Sequence, residues 1–223
     1  MLCKVLEKEL SEHGSFDYAL FIRADSYHRN LLSFIQQHVK NGMVHYQWDG
    51  MNRFPEIWEM LPFFKHNFIF DPNDQALSDS FLPITNFYFD YESLNFPESY
   101  DFYFIGYHIP ERAEKIARFA RYAENRNYSL KFDIQHPKKK HHTELRKIYP
   151  DTIRILAGET AFSDAQRAAK ESRVLVDFVV GDHKGLSLRT FEALHYNKKL
   201  ITTNSTIQYY DFYHPDNIWG CTR

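Results

Sequence analysis

The sequence is short of cysteine, of long apolar runs and of net charge. Cys3 and Cys221 are the two cysteines in 223 residues, and they stand near opposite ends. That is too few for a disulfide framework, and no pair has the spacing of a zinc site. A reducing, cytoplasmic setting is the expectation. No stretch approaches the ~18 consecutive apolar residues of a membrane span. The opening MLCKVLEKELSEHG is charged where a signal peptide would carry its apolar core. Contact with a membrane is therefore expected at its surface at most. A formal net charge of -2 excludes a global drive toward nucleic acid or anionic lipid. No internal repeat is present.

Enough is there to fold. Hydrophobic residues make up 43% and charged residues 25%, so a core is expected and wholesale disorder is not. Aromatics reach 17%, with 20 Phe and 15 Tyr. Most stand in strand-like runs, which points to ring-filled cores, with sugar or base stacking as the functional counterpart.

Apolar runs alternate with helical periods. Leu2, Val5, Leu6 and Leu10 share a helix face that ends at His13-Gly14. Strands follow at 18–22, 43–48, 67–70 and 82–89, with helices at 31–39 and 55–64 and a DPND turn at 71–74. Residues 91–101 have no clean period and read as a linker between two lobes, 1–92 and 93–223. A second series begins at DFYFI, 101–105. Gly106 to Pro110 reads as a loop and 111–126 as an amphipathic helix. Strands at 129–134 and 152–156 follow, then a helix at 163–172 capped by Ser163. A β-branched strand at 173–180, a helix at 187–196 and a strand at 199–203 complete the series. Strands alternating with helices predict an α/β fold with parallel sheets, arranged as two Rossmann-like lobes.

The segment from Val174 to Asn204 carries the chemistry. A buried strand leads through GDHKGL into a helix near Ser187. Ligands bind where parallel strands meet helix N-termini, and the free N–H groups there attract phosphate. Gly185 permits close backbone approach. Ser187 can cap the helix or donate to an oxygen. Arg189 offers a fork suited to phosphate, and Glu192 can accept two hydrogen bonds from a ribose diol. Alone, this is also an ordinary surface helix with an Arg and a Glu. The following KKLITTN adds hydroxyl and amide groups at the same sheet edge.

KGLSLRTFEALHYNKKLITTNSTIQYYDFYHPDNI resembles the donor-binding region of GT-B glycosyltransferases of the bacterial lipopolysaccharide-core, capsular and exopolysaccharide group. VHYQWDGMNRFPEIWEMLPFFKHNFIFDPND is similar to that group's Trp-Asp segment and Phe-Asp-Pro turn. DFYFIGYHIPER is similar to the Phe-Ile-Gly strand that opens the second lobe. The resemblance covers roughly residues 16–220. It implies that Glu192 holds the donor ribose. It also implies that Gly185, Ser187 and Arg189 face the diphosphate from one side and Gly106 and Tyr107 from the other, with Thr203 and Asn204 at the nucleotide or sugar edge. It implies metal-independent transfer from a nucleotide sugar, with no further cofactor, to a lipid-linked or polysaccharide acceptor. The cell site it implies is the cytoplasm, at the periphery of the inner membrane. No Asp-x-Asp metal motif stands in the chain, and DHKG does not replace one. Set beside that group, the first strand and its glycine-rich loop are missing, as is a closing C-terminal helix. The expectation is therefore a GT-B form with an incomplete N-terminal lobe.

On the acceptor side, Asp25 in IRADSY and Asp49 in QWDG are the candidate general bases. The plainer reading of each is a cap or turn residue. Arg23 and Trp48 are candidates to line the cleft between the lobes. His108, beside Gly106, is a candidate phosphate donor. HPKKKHH at 136–142 reads as a solvated loop before a helix, with phosphate contact, membrane contact or the mimic of a metal site as its functional counterparts; without interleaved aromatics it is a poor nucleic-acid signal. A nucleotide-sugar epimerase and a non-catalytic nucleotide-sugar-binding remnant are the competing functions.

Overall fold

The computed structural model describes residues 2–88, 90, 96–181 and 184–220, with the side chains of 2–4 left aside. The chain divides into two compact units, 1–86 and 87–223. Each is built on a wholly parallel sheet.

In the first unit, helix α1 (Leu2–His13) precedes β1 (Ala19–Ile22), α2 (Arg29–Gln36), β2 (Met43–Gln47), α3 (Ile57–Met60), β3 (His66–Ile69), α4 (Pro72–Gln75) and β4 (Phe81–Pro83). The sheet order is β1-β2-β3-β4. Its core joins Phe21, Leu32, Met43, Met51, Ile57, Phe64 and Ile69. The helix expected at 31–39 starts earlier because the His28 ring accepts from the Asn30 N–H and caps it. The helix expected at 55–64 is broken. Pro62 lacks an N–H, and α3 passes into a 3-10 turn at Leu61–Phe63. The DPND turn is instead the start of α4. Asp71 caps it through Asn73 N–H at 2.9 Å, and Asp74 accepts from Met51 N–H at 2.7 Å. The strand expected at 82–89 is three residues long and ends on Pro83, which has no ladder donor; residue 89 lies outside the described residues.

The second unit contains β5 (Tyr100–Tyr107), α5 (Pro110–Glu124), β6 (Leu130–Gln135), α6 (His142–Arg146), β7 (Arg154–Leu156), α7 (Phe162–Lys170), β8 (Ser172–Asp177), α8 (Leu188–His195), β9 (Lys199–Thr202) and β10 (Ile218–Gly220). The sheet runs β10-β9-β8-β5-β6-β7. In chain order this is the 3-2-1-4-5-6 pattern of doubly wound sheets. Successive residues of one strand feed opposite faces. Phe104 and Val176 join Ile116, Ala120, Phe132, Leu145 and Phe178 under α5 and α6. Tyr103 and Leu175 join Ala169, Ala193 and Leu200 under α7 and α8. With both faces covered, strands read as continuous apolar runs.

Ser163 does not cap α7. The helix opens one residue earlier, with Ala161 at the cap position, and the Asp164 and Ala165 N–H groups bond to its carbonyl. Residues 91–95 of the expected linker lie outside the described residues. Next to them, Asp90 is buried, accepting from Lys170 Nζ at 2.5 Å and from the Tyr196 hydroxyl at 2.9 Å. Tyr88 stacks on His195 with centroids 3.9 Å apart. These contacts attach Tyr88 and Asp90 to α7 and α8. Among the described residues, no helix is long and apolar enough to cross a membrane.

Candidate functional site

The order of the second sheet makes β5 and β8 neighbours whose chains leave to opposite faces, β5 into α5 and β8 toward α8. Such a reversal leaves a crevice at the carboxyl ends of the two strands. Gly106 and Tyr107 are not in a loop, as the sequence suggested. They extend β5 and pair with Ile134 and Gln135. Gly106 is needed for what passes over it. A Cβ there would lie 2.6 Å from Arg112 Nη2 and 3.2 Å from the Phe104 ring. Arg112, in the first turn of α5, donates to the Tyr107 carbonyl at 2.8 Å and to the Phe178 carbonyl at 3.0 Å. It thus ties the ends of β5 and β8 together and sets a guanidinium at the switch point. Sequence reasoning missed Arg112. Its signal was a basic residue just past Pro110, in the first turn after the Phe-Ile-Gly strand.

On the other side, α8 begins after Ser187, whose backbone is extended at φ -67 and ψ 161. Among the described residues its side chain forms no capping bond, and the buried Oγ has no hydrogen bond of ordinary geometry. It lies near enough to Asp177 to favour that carboxylate. Asp177 ends β8 and accepts from Thr202 Oγ1 at 3.0 Å. Burial pushes its pKa up, against the opposing pull of Thr202, Ser187, Arg189 and Arg112. This second missed residue was hidden in an apolar strand run.

Arg189 and Glu192 are one turn apart on α8 and form an ion pair, Arg189 Nη1 to Glu192 Oε2. Both are largely buried, with side-chain exposures of 14% and 10%. The guanidinium also lies 4.7 Å from the centroid of the Tyr103 ring. The fork of Arg189 is therefore turned into the fold. Glu192 Oε1 accepts no hydrogen bond among the described residues.

Thr203 and Asn204 both serve the fold. Thr203 Oγ1 accepts from Val179 N–H at 2.8 Å. Asn204 is buried and donates to the carbonyls of Lys184 and Gly185, at 3.3 and 3.0 Å. Its Oδ1 accepts from the Thr206 N–H and hydroxyl. Asn204 thus holds the strand-to-helix loop where it enters α8, and fixes the backbone of Gly185.

Further along the same sheet edge, His108 Nδ1 meets the Tyr149 hydroxyl at 2.9 Å, and the exposed Tyr107 hydroxyl donates to Glu159 at 2.5 Å. In the first unit, Arg23 brings the two acceptor-side candidates together. Its guanidinium contacts Asp25 at 2.6 Å and Asp49 at 3.4 Å and lies 3.4 Å from the Phe54 ring centroid. Arg53 also reaches Asp49, at 3.5 Å. Arg23 has φ 53, a conformation that L residues adopt at a cost, and it sits just beyond β1. Trp48 is partly buried, edge-on to Tyr46 at 6.2 Å. Among the described residues no group of three His, Cys, Asp or Glu side chains could hold a metal.

No protein-family model matches the chain, and no curated protein is significantly similar to it.

Proposed function

We propose that the chain is a GT-B-type glycosyltransferase that moves a sugar from a nucleotide sugar to a lipid-linked or surface-polysaccharide acceptor. The observation that carries the reading is the strand-order reversal between β5 and β8 and what stands at their carboxyl ends. Arg112 tethers β5 to β8 on one side, and the Asn204-held loop enters α8 at Ser187 on the other. The resemblance of GLSLRTFEAL and KKLITTN to donor-binding segments supports it.

The diphosphate is proposed to lie against the first-turn N–H groups of α8, with Ser187 Oγ as a donor. Glu192 Oε1 would accept from a ribose hydroxyl while Oε2 stays with Arg189. That sharing gives Arg189 a positioning role: it fixes the carboxylate and does not touch phosphate. As the sugar leaves, charge grows on the diphosphate. The α8 N-terminus and the Arg112 guanidinium offset it without reorganising. Asp25 and Asp49 are the proposed acceptor-side carboxylates, oriented by Arg23.

Product analysis tests the reading. A sugar-labelled nucleotide-sugar panel is incubated with a lipid acceptor extract. Transfer of label to lipid supports it. Epimerised donor with no transfer would assign a different enzyme class. Donor binding with neither product would make the chain a binding subunit.

A further inference from the structure

Four imidazoles collect near the carboxyl ends of β5 and β6, outside the α8 site. The ring centroids of His136 lie 6.1 Å from His108, 5.3 Å from His141 and 6.3 Å from His142. Each ring keeps a nitrogen uncommitted among the described residues. His108 uses Nδ1 on Tyr149, His136 uses Nδ1 on the Lys138 main chain, and His142 uses Nε2 on the His136 carbonyl. His141 makes no hydrogen bond through its ring among the described residues. Lys138, Lys139 and Lys140 interrupt the cluster. All three are exposed and none forms an ion pair among the described residues. Glu144, the carboxylate that faces His141, is held by Lys147 at 2.7 Å. The local balance is therefore cationic in a chain whose net charge is -2. Uncommitted ring N–H groups beside exposed lysines that form no ion pair among the described residues suit an anion.

We propose that His108, His136, His141 and His142, with the 138–140 lysine turn, form a binding site for a phosphate-type dianion, distinct from the α8 site. The inference does not depend on sugar transfer and would survive its failure. Two sources offer this chemistry, a soluble phosphate or diphosphate and a phospholipid headgroup.

Proton uptake should accompany binding. His108 is faced by Arg112 from α5, His136 from the loop after β6 and Tyr149 from beyond α6. Burial, then His136 and Arg112, hold its pKa below the ordinary value. His141 is faced by Lys140, His136, Lys138 and Glu144, and its pKa is also lowered, by desolvation and then by its cationic neighbours. A bound dianion reverses the sign of the local field and favours imidazolium, so affinity rises as pH falls.

The test is a histidine-detected NMR titration of the full chain with inorganic pyrophosphate and, separately, with sulfate, which stays doubly charged throughout. Saturable shifts of the four ring signals are expected, with sulfate affinity at least about fivefold tighter near pH 6 than near pH 8. The combined Lys138→Gln, Lys139→Gln and Lys140→Gln variant should weaken pyrophosphate at least about tenfold, with thermal unfolding unchanged, since the lysines are solvent-exposed. No saturable shift, or affinity indifferent to the lysines, would overturn the site. A parallel arm uses phosphatidylcholine vesicles with and without phosphatidylglycerol. Binding to anionic vesicles that pyrophosphate displaces supports the site and identifies a headgroup as a source. No vesicle binding with pyrophosphate retained supports it with a soluble source. Vesicle binding that pyrophosphate leaves intact would contradict it.

Discussion

Replacing Glu192 with alanine strands a guanidinium inside the second unit. Arg189 is 14% exposed at its side chain, and its carboxylate partner is Glu192. Breaking a buried pair by removing one member costs about 3–5 kcal/mol. Two features reduce that figure here. The Tyr103 ring, 4.7 Å away, retains part of the cation's stabilisation, about 1 kcal/mol. Asp177 also attracts Arg189. The expected loss for Glu192→Ala is about 2–4 kcal/mol. Thermal or urea unfolding followed by a probe in the second unit measures it. The double variant Arg189→Met, Glu192→Leu removes both charges and keeps apolar volume. It should return to within about 1 kcal/mol of the parent, because desolvating the pair is itself expensive. A loss below about 1 kcal/mol for Glu192→Ala would refute the buried pair. A double variant worse than the sum of the single ones would also refute it.

Other outcomes follow from neighbouring geometry. Asn204→Ala should cost about 2–3 kcal/mol, since it removes two donors and an acceptor from buried and partly buried main chain, and hydrogen exchange should accelerate at 184–186 before the rest of the sheet. Gly106→Ala should push the Arg112 guanidinium off the Tyr107 and Phe178 carbonyls, because the new Cβ would sit 2.6 Å from Nη2; nucleotide affinity should fall in this variant and in Arg112→Met alike. His45 is fully buried between Asn67 and Gln47, and burial lowers its pKa to about 4 from 6.5. The unfolded chain therefore binds the proton more readily, and stability is lost as pH falls from 6.5 toward 4, by roughly 3 kcal/mol in total. His45→Gln should flatten that part of the pH–stability curve; an unchanged curve would assign the slope elsewhere.

What the sequence disclosed followed from local pattern. The strands VLV and DFYFI of the second unit stood out as strand-like runs, and α8 was legible as the helix expected at 187–196. The switch-point tether was not legible. Arg112 reaches the Phe178 carbonyl across 66 positions, and nothing local to PERAEK signals that partner. Arg189 read as a phosphate fork because its burial depends on Tyr103, a residue of a distant strand. Asn204 read as a ligand contact because its donors are satisfied by Lys184 and Gly185 main chain, which only the folded loop brings near. The DPND segment misled for a different reason. Its Asp and Pro favour turns and helix starts equally, and in the fold Asp71 caps a helix through Asn73 N–H.

The most direct measurement is calorimetric titration of the folded chain with a panel of nucleoside diphosphates, repeated with Glu192→Gln, which keeps the side chain's volume. Saturable one-to-one binding of at least one nucleotide is expected, weakened in the variant by about 1–3 kcal/mol through loss of a charged hydrogen bond to the ribose. A folded protein that binds none of them, or binds one with unchanged affinity in Glu192→Gln, would contradict the proposed donor site.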